Sequence, residues 1–298
     1  MKAPQKGVHE RRRVTANNDN QERQSRNSDS KERQPNERTR TMFEVFASAR
    51  LLSKGLIAAA CAIVLAGHAT ANEGGSKYTN ESEAGVVISS GNSNSESYNV
   101  KSMAKSTWDA NSLTISGAYL LSQTGSTAGY VESANNWKIG PRYDRALADN
   151  YSVFLGHLVE GDKFAGFQQR YSTDAGGKYT FKKVDTENDK LEWFAEAGYR
   201  YIHENRIGGL QSITNALRLY SEASKNLTAT STGKLGLEYV PSVSDFNIYK
   251  LQGDASLAVV LSSIFSVKTS YQIKYNSSPA PGAKYTDTLF TTSLVAKL

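Results

Sequence analysis

After residue 71 the chain carries two imidazoles, His157 and His203, and many serines. A serine nucleophile needs a histidine base that is itself held by an acid or amide. No Gly-x-Ser-x-Gly elbow is present to present such a serine. His203 stands beside Glu204 at the end of an alternating run, the place of an interfacial or loop residue. His157, inside Leu155-Gly156-His157-Leu158, reads as a buried or lumen-facing histidine satisfied by hydrogen bonds. Two separated histidines make no metal-ligand spacing. The loop Gly91-Asn92-Ser93-Asn94 lacks the acidic ligands of a calcium loop. The single cysteine, Cys61, lies in an N-terminal apolar run. Catalytic residues, cofactor-binding residues, metal ligands and cofactors are therefore all read as none.

The chemistry that remains is charge, and it has a period of two. Glu132, Lys138, Arg142, Asp144, Asp174, Lys178, Glu192, Glu196, Arg200, Arg218, Glu222, Lys234, Glu238, Lys250, Asp254, Lys268 and Lys274 alternate with apolar neighbours. In the run 265–275 one face reads Phe265, Val267, Thr269, Tyr271, Ile273 and Tyr275, and the other Ser266, Lys268, Ser270, Gln272 and Lys274. The run 191–201 sets Leu191, Trp193, Ala195, Ala197, Tyr199 and Tyr201 against Glu192, Glu196 and Arg200. Alternation of this kind means strands with two unlike faces.

These runs last about 9–13 residues, against about 5–6 for a soluble strand. A strand tilted across a bilayer needs about 9–11, with apolar side chains toward lipid and polar ones toward the lumen. The expected fold is all-β: an antiparallel transmembrane β-barrel of about 12 strands, with short loops. The strands are placed at 82–90, 96–108, 112–123, 131–144, 151–161, 168–181, 190–203, 214–226, 229–240, 247–261, 265–276 and 286–298. Turn chemistry separates them at Asp109-Ala110-Asn111, Ala148-Asp149-Asn150, Pro241 to Asp245 and Pro279 to Gly282. An even number of strands puts both chain ends on the periplasmic side. Trp108, Tyr130, Tyr143, Tyr151, Tyr171 and Tyr201, near strand ends, read as an aromatic girdle at the two water interfaces.

The segment before the barrel is a different material. Residues 1–71 hold 13 Lys+Arg and 7 Asp+Glu, while residues 72–298 hold 22 of each. The basic balance thus belongs to the leader, and a nucleic-acid partner loses its support. Residues 1–41 offer almost nothing to bury and read as a disordered extension, with Met42 as an alternative start. Residues 42–71 read as a signal peptide: Arg50 and Lys54, the apolar run from Leu56 to Gly67, and the Ala69-Thr70-Ala71 cleavage site. The mature chain, 72–298, is the barrel, placed in the cell outer membrane after export.

The stretch leading into Gly91-Asn92-Ser93-Asn94-Ser95, the segment from Asp162 to Phe167 with Arg170, the run Gly198 to Glu204, and Asn276 to Pro279 with Gly282 and Thr286-Asp287-Thr288 together resemble a known family. It is a domain-of-unknown-function family described as salt-induced outer-membrane proteins. The resemblance covers nearly all of the mature chain. It implies an outer-membrane β-barrel and supplies no catalytic residues. The last strand, with Phe290, Thr292, Leu294, Ala296 and Leu298 alternating, reads as the signal for the barrel-assembly machinery as a partner, with outer-membrane lipid and lipopolysaccharide as surroundings.

Function then rests on the lumen, whose charge candidates are Lys138, Arg142, Glu192, Glu196, Arg200, Lys250, Asp254, Lys268 and Lys274. One reading is a narrow passage for ions or small solutes linked to salt or osmotic stress. The alternative is a structural envelope barrel whose charges lock the lumen, and an outer-membrane hydrolase is the weakest of the three.

Overall fold

The computed structural model describes residues 76–89, 94–126, 129–185 and 190–297. The extension 1–41, the signal peptide 42–71, turn residues 91–93 and Leu298 lie outside the described residues. Twelve strands follow in order: β1 (Lys77–Ser89), β2 (Ser95–Trp108), β3 (Asn111–Ser126), β4 (Gly129–Ala148), β5 (Tyr151–Asp162), β6 (Phe167–Asp185), β7 (Lys190–Arg206), β8 (Gln211–Asn226), β9 (Ser231–Pro241), β10 (Tyr249–Val260), β11 (Phe265–Asn276) and β12 (Thr286–Lys297). Each pairs antiparallel with its neighbours in sequence, and β12 returns to β1 to close the barrel.

Several strands outrun the alternation that announces them, and two carry β-bulges. The extra residue is Phe181 in β6, where the register shifts between Thr180 and Lys182, and Ser133 in β4, opposite Ser122/Gln123 of β3. In β6 this is where the sequence pattern ends the strand, at Phe181. A bulge inserts one residue and flips the facing of everything after it, so the alternation breaks while the ladder continues.

Facing follows from the register. Glu196, Arg218 and Glu238 share the inner face of β7, β8 and β9. Leu235, Leu237, Leu257, Tyr271 and Phe290, all exposed, share the outer one. Polar groups such as Glu83, Asn99, Glu196, Arg218 and Ser293 are buried inside, while large apolar side chains stand outside. This inversion suits a lipid solvent, where apolar surface needs no cover and each backbone polar group must be paired within a closed sheet.

Aromatic rings band both ends of the outer face. At the end where β1 begins, Trp108 lies 6.5 Å from Tyr143, and Phe181 packs between Tyr179 (5.2 Å) and Trp193 (4.6 Å). At the opposite end Tyr239, Tyr249, Tyr275 and Tyr285 run in a chain with centroids 5.5, 5.6 and 6.4 Å apart. Such bands sit where a bilayer meets water on each side. His157 belongs to this outer surface, which corrects the buried or lumen-facing expectation. Its Nδ1 lies 2.9 Å from Thr173 Oγ1, and its ring is 6.4 Å from Tyr171, which lies 6.1 Å from His203. The sequence misleads here because two apolar residues of the same strand, Phe154 and Leu158, face inward against Gly176 and Ser172.

Connections at the end where β1 begins span 2, 2, 4, 4 and 4 residues; those at the far end span 5, 2, 4, 4, 7 and 9. Short periplasmic turns and longer outer loops are the habit of outer-membrane barrels. The closing seam is brief, running from Glu81 opposite Lys297 to Ala84 opposite Leu294. Lumenal side chains reinforce it. Lys268 of β11 reaches past β12 to Glu83, Asn99 of β2 donates past β1 to Ser293 Oγ at 3.0 Å, and Lys297 pairs with Glu81 at 3.3 Å.

Facing has a direct test. Leu257→Arg or Tyr271→Arg should cost about 2–4 kcal/mol near the bilayer midplane. Gln272→Arg should cost far less, because its side chain already meets the Asp254 carboxylate inside. Urea unfolding from liposomes measures both, and equal losses on the two faces would contradict this orientation.

Candidate functional site

The nine lumen charge candidates, Lys138, Arg142, Glu192, Glu196, Arg200, Lys250, Asp254, Lys268 and Lys274, all fall on inward-facing register positions. They do not form one site. Arg142, Glu196 and Arg200 join a central network, Lys138, Lys250 and Lys274 gather toward the far mouth, and Lys268 serves the closing seam. Among the described residues Glu192 meets only Lys178, at 3.4 Å. Asp254 accepts amide hydrogen bonds from Gln252 (2.7 Å) and Gln272. Glu132, placed on the polar face by its sequence, lies past the β3–β4 bulge and pairs instead with Lys163 in the β5–β6 turn at 2.8 Å.

The central network is built on missing side chains. Gly156, Gly176 and Gly198 take inward positions on β5, β6 and β7, with Gly176 and Gly198 directly opposite one another. A Cβ on Gly176 would stand 2.7 Å from the Gly198 Cα and 2.8 Å from the Phe154 ring. The room so left holds the buried Phe154 ring, with the Arg142 guanidinium over it at 4.2 Å and that of Arg218 at 5.7 Å. Arg142 then reaches from β4 to β7, donating to Glu196 at 2.7 and 3.0 Å while also gripping Asp144. Arg218 donates to the same Glu196 and to Glu238 at 2.6 Å. Arg200 clamps Asp174 at 2.6 and 2.7 Å and Glu238 at 3.1 and 3.2 Å. Planar guanidinium forks suit carboxylates two at a time, so three arginines knit five strands together.

A second cluster lies at the far mouth, and several of its members escaped the sequence reading. Arg170 donates to Glu160 at 2.6 Å and to Glu204 at 2.8 Å, its guanidinium stacked 3.7 Å from the buried Phe167 ring. Glu204 also accepts from Arg206 at 2.9 Å, and Lys250 approaches it at 3.9 Å. Glu204 has the even-numbered parity of Glu192, Glu196 and Arg200, a signal present in the sequence and masked by its nearness to the strand end. Glu83 and Lys101, 3.6 Å apart beside the seam, were absent from the lumen set drawn from the sequence.

Three of the segments that carry the family resemblance meet here. The nine-residue β11–β12 connection, short as the sequence implied, still reaches the β5–β6 turn: a Cβ on Gly166 would lie 2.6 Å from the Ala280 methyl carbon. Gly166 also has φ +85°, a left-handed conformation open to glycine. Its carbonyl accepts from Ile207 N–H at 3.0 Å, tying in the β7–β8 turn. The opposite wall of the lumen has another character, with Ser256, Ser270, Thr291 and Ser293 facing inward; Ser270 Oγ and Thr291 Oγ1 are 2.7 Å apart.

The buried network has a measurable weight. Glu196→Gln, at a side chain only 3% exposed and shared by two arginines, should destabilise the barrel by about 3–5 kcal/mol. Glu192→Gln, at a 44% exposed side chain, should cost less than about 1 kcal/mol. Heat- or urea-induced loss of the compact gel band distinguishes them, and equal effects would refute the network.

No curated protein matches the chain. Among solved structures, the NanC porin aligns with 12% identity and a TM-score of 0.42 over 74% of this chain and 97% of its own. The KdgM porin aligns with 10% identity and a TM-score of 0.40 over 74% and 98%. The translocator domain of the autotransporter NalP from Neisseria meningitidis aligns with 10% identity and a TM-score of 0.35 over 85% and 96%. A family model described as protein of unknown function, DUF481, matches residues 82–298. That match spans the whole barrel from within β1, and the chain belongs to the DUF481 family.

Proposed function

We propose that this protein is an outer-membrane channel: a narrow passage for ions or small solutes, held open by a side-chain scaffold on one wall. The observation that carries the reading is the exposure of charged groups within the barrel. Lys138 and Lys274 point inward and are nonetheless solvent-exposed, and the Lys250 side chain keeps 36% of its surface accessible. A lumen filled by packed side chains up to the far mouth would leave them no such surface. The guanidinium network lies on β4 to β9, and the wall of small hydroxyls across from it leaves room for water. A 12-strand barrel falls between the filled 8-strand and open 16-strand sizes. Paired aromatic bands and loop lengths support placement across the outer membrane, with the far mouth outward.

The structural-barrel alternative draws on the same central network, which would serve equally to lock a closed lumen. Purified protein in planar bilayers separates the two. Discrete, voltage-tolerant conductance steps are expected for a passage; their absence at protein amounts that insert as folded barrels would leave the structural reading. A link to salt or osmotic stress is a further proposal, tested by whether deletion changes growth across external salt concentrations.

A further inference from the structure

From the arrangement at the far mouth we infer that the passage prefers anions, with Lys138, Lys250 and Lys274 as the residues that set the preference. This rests on the channel reading above. Four cations from four strands, Arg170, Lys274, Lys250 and Lys138, act electrostatically on the single carboxylate Glu160. Lys138 of β4 and Lys274 of β11 also act on each other, although four strands separate them along the wall on one side and six on the other. They therefore face one another across the lumen.

The cluster holds Lys138, Arg170, Arg206, Lys250 and Lys274 against Glu160, Asp162, Glu204, Asp254 and Asp287, so its formal charges balance. The pairing matters more than the sum. Glu160 and Glu204 are engaged by arginine at 2.6–2.9 Å, and the nearby Glu238 by two further arginines. Asp254 is occupied by two glutamine amides. Asp287 stands opposite Lys274 at the rim. Among the described residues, Lys138 and Lys274 have no carboxylate at salt-bridge distance, and Lys250 has only the 3.9 Å approach to Glu204. Asp162 is held by the Phe164 and Ala165 N–H groups, so all the carboxylates but Asp287 are tied into the wall, and the ammonium groups, on flexible stems, are what a passing solute meets. Rings of lysine or arginine select anions in pores by this means. An ammonium is a compact point charge that binds and releases carboxylate, phosphate or halide without the fixed fork of a guanidinium. The solutes expected are small anions, inorganic or organic.

The test is the zero-current potential of the full protein in planar bilayers under a roughly tenfold KCl gradient. A unit charge met about 7 Å away in water raises chloride occupancy about threefold and lowers that of potassium by a similar factor, so each lysine should shift the chloride-to-potassium ratio about sevenfold. Wild type should show a chloride-selective potential. The triple variant Lys138→Gln, Lys250→Gln, Lys274→Gln should reverse its sign. Lys225→Gln, exposed on the outer face near the opposite end, should leave it unchanged. Should the triple variant fail to insert, Lys274→Gln alone reports a partial shift in the same direction. Conductance with a cation-selective or unselective wild type, or lysine variants that leave the potential in place, would overturn the anion inference and leave the channel intact. Absence of any conductance would overturn both.

Discussion

Every backbone N–H and C=O that faces hydrocarbon must find its partner within the protein, and a sheet does this only by closing on itself. The whole structure is organised by that requirement. It forces β12 back onto β1, and it fixes which residues face in and which face out, because closure leaves the sheet two surfaces of opposite solvent. The register at the seam is short, so closure there leans on lumenal side chains, Lys268 with Glu83 and Asn99 with Ser293. The interior charges are part of how the barrel is held shut as a cylinder.

Inside, the same charges divide into two populations with different chemistry. Arginines hold carboxylates in pairs: Arg142, Arg200 and Arg218 join five strands through Asp144, Asp174, Glu196 and Glu238. Lysines near the far mouth are left accessible. A buried ion pair costs most of its Coulombic gain in desolvation, so such a network contributes mainly by making each member indispensable to the others. Accessible lysines keep their hydration and remain available to solutes. Glycine makes the division possible, since Gly156, Gly176 and Gly198 leave the volume into which Phe154 and two guanidinium groups fit.

The sequence showed the barrel almost completely, because the physical cause of the fold is written residue by residue. Period-two alternation over more than a bilayer's thickness has one ready explanation, and each of the twelve runs, including Phe265 to Tyr275, became a strand. Where legibility failed, a local event had reset the period. The bulge at Phe181 hid the end of β6, and that at Ser133 turned Glu132 off the lumen wall. His157 was misread because the inward positions beside it are Phe154, Gly156 and Leu158, a strand whose lumenal face looks apolar.

What the sequence by itself determined, then, is the class of fold, the strand order and the set of residues sharing each face, all consequences of neighbours along the chain. The partners of those residues were decided only by the tertiary structure. That Arg142 meets Glu196 three strands away, that Lys138 faces Lys274 across the lumen, and that Ala280 lands on Gly166 are products of barrel curvature, shear and closure. Alternation says that a charge points inward; it carries no information about which charge waits on the other side. That depends on where twelve tilted strands place their registers around a ring, a property of the closed sheet as a whole.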